Sequence, residues 1–205
     1  MFITLEGPDG SGKSSQVPAL VAAIEAAGHD VVATREPGGT LIGDQVRQVL
    51  FDMKNKGMHP RSEILLFQAS RAQIVEQLIQ PALALDKVVL SDRYADSTLA
   101  YQGYGHQLDL DELKRIVDYA TGGLKPDLTI LFDLDPQEGL SRRDSGGDWN
   151  RLDDYDLEFH QRVHDGYQAL IKAEPARWKV IDAAQPPEQV AVDLHNLVLG
   201  FLKEN

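Results

Sequence analysis

The sequence lacks several features that would place it in a specialised class. It has no cysteine, which excludes disulfides and thiolate metal sites. It has no apolar run near the length of about 18 residues that a membrane span needs, and its start, MFITLEG, lacks the basic stretch of a signal peptide. Acidic residues outnumber basic residues by 32 to 20, and the resulting net charge of −12 argues against general nucleic-acid binding. We therefore expect a cytoplasmic protein with no membrane or nucleic-acid partner.

The order of apolar segments predicts one α/β domain over residues 1–205. Apolar residues make up 42% of the chain, as in an ordinary globular domain. Strand-like apolar runs occur at 2–5, 31–33, 87–93, 127–134 and 178–182. Helical spacing occurs at 13–27, 42–51, 61–79, 109–122, 136–143, 155–173 and 187–203. Strands that are apolar throughout and alternate with helices predict a five-stranded parallel sheet with helices on both faces.

Two prolines affect the predicted helices. Pro18 lies inside the first helix, where it is expected to kink or unwind the first turns. Pro81 is expected to close the helix at 61–79, whose apolar residues cover most of its circumference. Such a helix either runs through the core or meets a second subunit.

The segment GPDGSGKSS, residues 7–15, matches the phosphate-binding pattern G-x-x-x-x-G-K-[ST]. It follows an apolar strand and opens a helix, so its backbone N–H groups and the helix N-terminus can surround phosphate oxygens. Lys13 is expected to reach the terminal phosphates and Ser14 to hold Mg²⁺. The residues predicted to bind the ATP phosphates are Gly7, Pro8, Asp9, Gly10, Ser11, Gly12, Lys13, Ser14 and Ser15.

A nucleotide-binding loop leaves three classes open: a phosphotransferase, a guanine-nucleotide switch, and a motor or partition ATPase. The N-K-x-D motif expected of a guanine-nucleotide switch is absent, and the strand at 87–93 ends in SDR rather than the D-E of motor ATPases. A small-molecule kinase needs a second anionic pocket beside the loop.

Two segments are candidates for that second pocket. Asp92 and Arg93 stand at a strand end, where ligands bind in parallel sheets, and Asp92 occupies the position of a second magnesium-associated carboxylate. Phe67 and Arg71 are spaced i, i+4 on one helix face, so that Phe67 can stack a base while Arg71 donates to a base carbonyl. From spacing alone, an ordinary core phenylalanine and a buried arginine salt bridge remain an open alternative.

Several blocks together resemble the bacterial thymidylate (dTMP) kinase family. They are FITLEGPDGSGKSSQ, TREPGGT, LLFQASRAQ, LSDRYADSTLAYQG, KPDLTILFDL and NRLDDYDLEFHQRVHDGY, in the family's order from residue 2 to about 167. The resemblance implies the P-loop kinase fold, a homodimer, and Mg²⁺-dependent transfer of the ATP γ-phosphoryl group to dTMP in dTTP biosynthesis. The alternatives are another P-loop nucleotide, deoxynucleotide or deoxynucleoside kinase, and a non-kinase P-loop ATPase.

The resemblance also assigns roles at the acceptor base. It makes Phe67 the aromatic that stacks on thymine, Arg71 the donor to a thymine carbonyl, and Gln102 the residue that approaches the base from the other edge. Tyr101 matches the aromatic that crowds the sugar 2′ position and favours deoxyribose.

At the acceptor phosphate, the resemblance implies contacts from Arg93 and Arg47, with Glu36 and Ser97 in the same site. Asp9 corresponds to the family's P-loop carboxylate near the phosphates, and it is grouped with the catalytic residues. The acceptor is already an ionised phosphate, with a second pKa of about 6, so no general base is needed. What remains is to overcome repulsion between two polyanions and to stabilise the transferred group.

The segment 141–151, SRRDSGGDWNR, is the predicted mobile lid. Family members carry a catalytic arginine either in the phosphate loop or on the lid, and the loop position here is Gly10. The lid must therefore supply the arginine. The segment carries Arg142, Arg143 and Arg151. Arg151 is the first candidate for the catalytic arginine and Arg142 is the second.

A pair of histidines in the helix at 155–173 has a spacing that can bind a metal. His160 and His164 stand at i, i+4, but the pattern lacks the glutamate of H-E-x-x-H and a clear third ligand. We interpret the pair as part of an ordinary helix face.

Overall fold

A computed structural model describes residues 1–146 and 149–204. A five-stranded parallel sheet lies at its centre, with the strand order β2-β3-β1-β4-β5. The strands are β1 (Phe2–Glu6), β2 (Val31–Arg35), β3 (Val88–Asp92), β4 (Leu128–Asp133) and β5 (Trp178–Asp182). The prediction of a five-stranded parallel sheet is confirmed, and every predicted strand lies within two residues of the observed one.

Helices cover both faces of the sheet. They are α1 (Lys13–Ala26), α2 (Leu41–Phe51), α3 (Pro60–Ile74), α4 (Gln80–Leu83), α5 (Ala95–Thr98), α6 (Leu110–Thr121), α7 (Pro136–Gly146), α8 (Leu157–Ala173) and α9 (Pro187–Glu204). A π-helical stretch, Val75–Ile79, joins α3 to α4, and a second, Leu99–Gly105, extends α5. In the part of the chain that the structure describes, no helix is both long and apolar enough to cross a membrane.

The core has two layers because successive side chains of a strand point to opposite faces of the sheet. Ile3 of β1 packs on one face in a cluster that includes Leu20 of α1 and Leu194 of α9. Phe2 packs on the other face, in a cluster that includes Ile74 of α3. Both faces of the central strands are buried, which explains why their sequences are apolar throughout.

The helical segments continue through both prolines. Helix α1 continues through Pro18 without unwinding. Pro81 does not close the long helix either, because the chain continues helically to Leu83. Pro81 is the second residue of α4, an early helical position where the lack of an N–H is tolerated, and the π-helical stretch before it has already changed the hydrogen-bond pattern.

The helix that α5 begins is absent from the sequence-based expectation. Gly103 and Gly105 lie in its π-helical extension, and glycine disfavours a helix interior. The structure shows why they are there: an added Cβ would lie 2.5 Å from a methyl carbon of Leu110 at Gly103 and 2.6 Å from the Phe159 ring at Gly105. Close packing by α6 and α8 therefore requires these glycines.

Candidate active site

The glycine loop follows β1 at the point where the strand order reverses, which is where parallel α/β sheets bind ligands. Gly7 and Gly10 have φ values of 143° and 77°, which residues other than glycine rarely adopt. A Cβ on Gly7 would lie 2.5 Å from the Phe132 carbonyl oxygen, and one on Gly10 would collide with the Gly139 carbonyl of α7. Because α7 packs so closely on the loop, an arginine at position 10 has no room.

Lys13 lies at the centre of the loop, and its side chain is buried. Its ammonium donates to the carbonyl oxygens of Gly7 and Pro8 at 3.1 and 2.9 Å and to the Ser11 hydroxyl at 3.0 Å. Burial, followed by the nearby charge of Arg93, lowers the pKa of Lys13 to about 8.

Ser14 and Asp92 meet beside the loop, as their shared metal assignment requires. The Ser14 hydroxyl donates to the Asp92 carboxylate, which joins the start of α1 to the end of β3. Hydroxyl and carboxylate oxygens are the ligand type that Mg²⁺ prefers. The described residues contain no group of three or more His, Asp or Glu side chains that could hold a metal, so a magnesium ion here would also need oxygen donors from elsewhere, such as phosphates.

Arg93 has a strained backbone and a heavily bonded side chain. Its φ of 70° lies in the left-handed region, where non-glycine residues are uncommon and cluster at functional sites. One guanidinium nitrogen donates to Asp9 at 2.8 Å and to the Tyr101 hydroxyl at 3.0 Å. The other donates to the hydroxyls of Ser97 at 3.1 Å and Tyr167 at 3.3 Å. The strained backbone and these four bonds hold the cation beside the loop.

Asp9 is held in its ionised form by the surrounding charges. Burial by itself would raise its pKa, but Arg93 and then Lys13 lower the pKa well below the usual range. The Tyr101 hydroxyl donates to the second Asp9 oxygen at 2.7 Å.

A buried carboxylate beneath Arg93, that of Glu6, was missed by the sequence analysis. One Glu6 oxygen accepts from the Ser97 hydroxyl at 2.6 Å and the Tyr167 hydroxyl at 2.9 Å, and the other accepts from the Tyr94 N–H at 2.9 Å. Burial, followed by the charge of Asp96, raises the pKa of Glu6 to about 7. The sequence signal was the presence of an acid at the end of an otherwise apolar strand.

Arg71 lies in the wall of the cavity with 1% of its surface exposed. Its guanidinium is 2.7 Å from the Glu36 carboxylate and donates to the Gln68 side-chain oxygen at 2.9 Å, the Thr98 hydroxyl at 2.8 Å and the Tyr94 carbonyl at 2.9 Å. The buried salt bridge left open as an alternative is therefore present, and Arg71 lines the cavity as well.

Arg151 lies in a buried cluster with Glu63 and Gln102, and Gln102 also lines the cavity. Arg151 donates to the Glu63 carboxylate at 2.6 Å and to the Leu50 carbonyl at 2.8 Å, and the same carboxylate accepts from the Gln102 amide at 2.8 Å. Within the described residues, the cavity lining includes Arg142 and Arg143 but not Arg151. The catalytic role of Arg151 stays a prediction, and this structure does not bring it to the phosphate loop.

The two other arginines of the 141–151 segment face the cavity and have acidic partners. Arg142 bonds Glu138 at 2.5 Å and the Ala183 carbonyl at 3.0 Å. Arg143 bonds both oxygens of the buried Asp153, at 2.7 and 3.3 Å. These arginines therefore already have protein partners at the edge of the phosphate loop.

One cavity of about 350 Å³ joins the phosphate loop to the pocket around Phe67. Arg47, whose guanidinium lies 4.3 Å from the centre of the Phe51 ring, forms part of its wall. The predicted site residues that line it are Asp9, Gly10, Gly12, Lys13, Ser14, Ser15, Glu36, Arg47, Phe67, Arg71, Asp92, Arg93, Ser97, Tyr101, Gln102 and Arg142.

The histidine pair of α8 lies outside this arrangement. His164 is 2.9 Å from the Asp133 carboxylate, and His160 is buried. This fits the interpretation of an ordinary helix face.

A parallel α/β sheet with a phosphate loop after its first strand and a second pocket lined with arginine defines a P-loop nucleotide-binding protein. The model of the family described as thymidylate kinase matches residues 5–194. A thymidylate kinase of Exiguobacterium sp. (strain ATCC BAA-1283 / AT1b) is 50% identical to this chain. The match covers 100% of this chain and 96% of the relative. One of Roseiflexus sp. (strain RS-1) is 47% identical, covering 98% and 95%.

The solved structures contain a similar fold. The crystal structure of thymidylate kinase from Ehrlichia chaffeensis matches with a TM-score of 0.78 and 34% identity, covering 97% of this chain and 98% of that one. The chain belongs to the thymidylate kinase family.

Proposed function

We propose that this chain transfers the γ-phosphoryl group of ATP to dTMP, giving dTDP and ADP in the synthesis of dTTP. Membership of the thymidylate kinase family over nearly the whole chain supports this reaction. The observation that carries it is a continuous cavity of about 350 Å³ that connects the phosphate loop to the pocket around Phe67. The donor phosphates and the acceptor nucleotide can therefore lie side by side.

For the acceptor base, we propose that Phe67 stacks on thymine while Arg71 and Gln102 bond its edges. Tyr101 would pack against the sugar, where a 2′-hydroxyl would be crowded. All four residues line the cavity. Arg71 is held in place because its guanidinium already bonds Glu36, Gln68, Thr98 and Tyr94, so a bond to a thymine carbonyl would share or replace one of these partners.

For the acceptor phosphate, we propose contacts from Arg93 and Arg47, with Ser97 and Glu36 in the same part of the site. Arg93 is fixed between Asp9 and the Tyr101 hydroxyl, which supports a role in orienting an anion. Because the phosphate is ionised near neutral pH, its own oxygen is the nucleophile and the protein supplies position and positive charge.

For the donor phosphates, we propose that the loop N–H groups bind them while the Lys13 ammonium donates to the transferring group. Ser14 and Asp92 would hold Mg²⁺, which neutralises phosphate charge when bound. The contact between their side chains supports this assignment.

We propose that the segment 141–151, whose residues 147 and 148 lie outside the described part of the chain, acts as a lid that brings an arginine to the transferred phosphoryl group. Arg142 and Arg143 line the cavity, which makes them the better placed candidates, whereas Arg151 is bonded to Glu63. An arginine in this position stabilises charge in the transition state.

We also propose a homodimer formed through α2 and α3. Their outer surface exposes large apolar side chains: Leu41 at 77%, Leu65 at 61%, Ile42 at 51% and Val49 at 45%. A patch of this kind marks an interaction surface. Sedimentation that finds only a 22.7 kDa species at micromolar concentration would contradict the dimer.

The reaction is tested by following ATP consumption with and without dTMP and identifying dTDP as the product. Parallel assays with dUMP, UMP and thymidine separate dTMP kinase from other nucleotide and deoxynucleoside kinases. A non-kinase ATPase would instead hydrolyse ATP at a rate independent of added nucleotide. We place the enzyme in the cytoplasm, where its ATP is available, and expect no nucleic-acid partner because of the net charge of −12.

A further inference from the structure

Glu63 of α3 is a buried carboxylate with no assigned role. It has 0% of its surface exposed, and each of its oxygens lies within hydrogen-bond distance of two side chains. Oε1 accepts from the Gln102 amide nitrogen at 2.8 Å and lies 3.3 Å from a His106 ring nitrogen. Oε2 accepts from Arg151 at 2.6 Å and from the Tyr155 hydroxyl at 3.4 Å. A carboxylate with this many partners is fixed in position.

The charge of Glu63 decides which way the Gln102 amide points. Burial by itself would raise the Glu63 pKa, but the His106 hydrogen bond and the charge of Arg151 outweigh it and lower the pKa, so the group is ionised near neutral pH. An ionised carboxylate only accepts hydrogen bonds, so the Gln102 amide must turn its NH₂ group toward Glu63. Gln102 lines the cavity, and its carbonyl oxygen is then the part of the amide that remains to bond a ligand there.

We propose that Glu63 is a positioning residue for base selection, because it fixes Gln102 so that the cavity presents a hydrogen-bond acceptor to the edge of the bound base. The imide N3–H of thymine or uracil is a donor and matches this acceptor. Cytosine carries an acceptor at N3, so two acceptors would face each other without a proton between them. A buried polar group left unpaired in this way strongly rejects the wrong ligand. This inference rests on the proposed function.

The same cluster gives Arg151 a role apart from the phosphates. Its Nε bonds the Leu50 carbonyl of α2, and its terminal nitrogen bonds Glu63. Arg151 therefore supplies the positive charge that keeps Glu63 an acceptor. Through Glu63 it acts on the pocket around Phe67, Arg71 and Gln102, which we call the base end of the cavity.

The test is a double-mutant cycle of wild type, Glu63→Gln, Gln102→Ala and the double variant. The selectivity measured is the Ki of dCMP, as a competitive inhibitor, divided by the KM of dTMP. A neutral glutamine at 63 can accept or donate, so the Gln102 amide is free to turn over. We expect Glu63→Gln to lower the selectivity by about tenfold or more, with kcat for dTMP changed much less. In the Gln102→Ala background, the same substitution should leave the selectivity unchanged.

Loss of stability alone does not imitate this result, because a merely structural role would not move a selectivity ratio in a folded enzyme. If Glu63→Gln cannot be recovered folded, Glu63→Asp replaces it: the shorter side chain withdraws its oxygen from Gln102 but keeps the charge. The same fall in selectivity is expected. An unchanged ratio in the folded variant, or an equal fall in the Gln102→Ala background, would overturn the proposal. Failure of the proposed function would show differently, as wild-type enzyme that makes no dTDP from dTMP.

Discussion

The two ends of the cavity are built in different ways. At the base end, Arg71 and Gln102 are 1% and 2% exposed and are bonded to buried carboxylates, so their positions are set before any ligand arrives. At the phosphate end, Arg93 is held by four bonds, whereas Lys13 bonds carbonyls of its own loop and Arg142 and Arg143 bond acidic side chains. In the proposed reaction, Lys13, Arg142 and Arg143 would exchange these partners for phosphate oxygens.

We therefore expect the base end to determine the affinity for the acceptor and the phosphate end to determine the rate of phosphoryl transfer. Changes at the base end should alter acceptor binding or, where a buried charge loses its partner, stability. Changes at the phosphate end should alter the rate of transfer and leave the fold and the acceptor affinity largely intact.

The largest expected effect is on stability, from Arg151→Ala. Removing one partner of a buried ion pair typically costs about 3–5 kcal/mol, and here it leaves the charge of Glu63 uncompensated. Arg142→Ala is the matched control, because its pair with Glu138 is partly exposed and should contribute little to stability. Denaturant unfolding of both variants measures this. A stable Arg151→Ala enzyme whose kcat falls by orders of magnitude would instead support the original catalytic assignment.

Lys13→Ala should lower kcat by about 10²–10³-fold, the usual effect of removing a donor that stabilises transition-state charge. The KM for dTMP should barely change, because Lys13 lies at the loop and not at the base. Steady-state kinetics with each substrate varied separate the two effects. Lost dTMP affinity with kcat preserved would refute the assignment.

Phe67→Ala should raise the KM for dTMP because a base–aromatic stack is worth about 1–3 kcal/mol, while the KM for ATP should stay the same. A thermal melt must accompany the kinetics, since Phe67 is half-buried in α3. If a folded variant keeps its dTMP KM, or loses both substrates equally, Phe67 does not stack on the base.

The smallest predicted effect is a pH dependence set by Lys13. Its lowered pKa of about 8 means that the ammonium loses its proton, and its charge, as the pH rises through that value. Since kcat/KM reports ionisations of the free enzyme, kcat/KM for ATP should decline above about pH 8, approaching tenfold per pH unit. Arginine stays charged in this range, so the residual activity of Lys13→Arg should lack the decline. The same decline in both enzymes would assign it to another group.

Local patterns predicted most of the fold and the loop, because apolar strands and the glycine motif act over a few adjacent residues. The cluster behind the base end could not be predicted in this way. Glu63 and Arg151 are 88 residues apart, and nothing in the sequence near either indicates the other. The position of Arg151 in the lid segment suggested a contact with the phosphates, whereas the fold buries Arg151 against Glu63 of α3. The helix at Gly103 and Gly105 was missed for a similar reason, since distant packing overrides glycine's poor helix propensity.

We expect the base end of the cavity to be formed before the phosphate end is engaged. Calorimetric titration of dTMP into wild-type and Lys13→Ala enzyme, without ATP or Mg²⁺, tests it most directly. We predict that both proteins bind dTMP with the same Kd, since the Lys13 ammonium bonds groups of its own loop. This prediction would be contradicted if dTMP bound only once an ATP analogue was present, or if Lys13→Ala abolished dTMP binding in a folded protein.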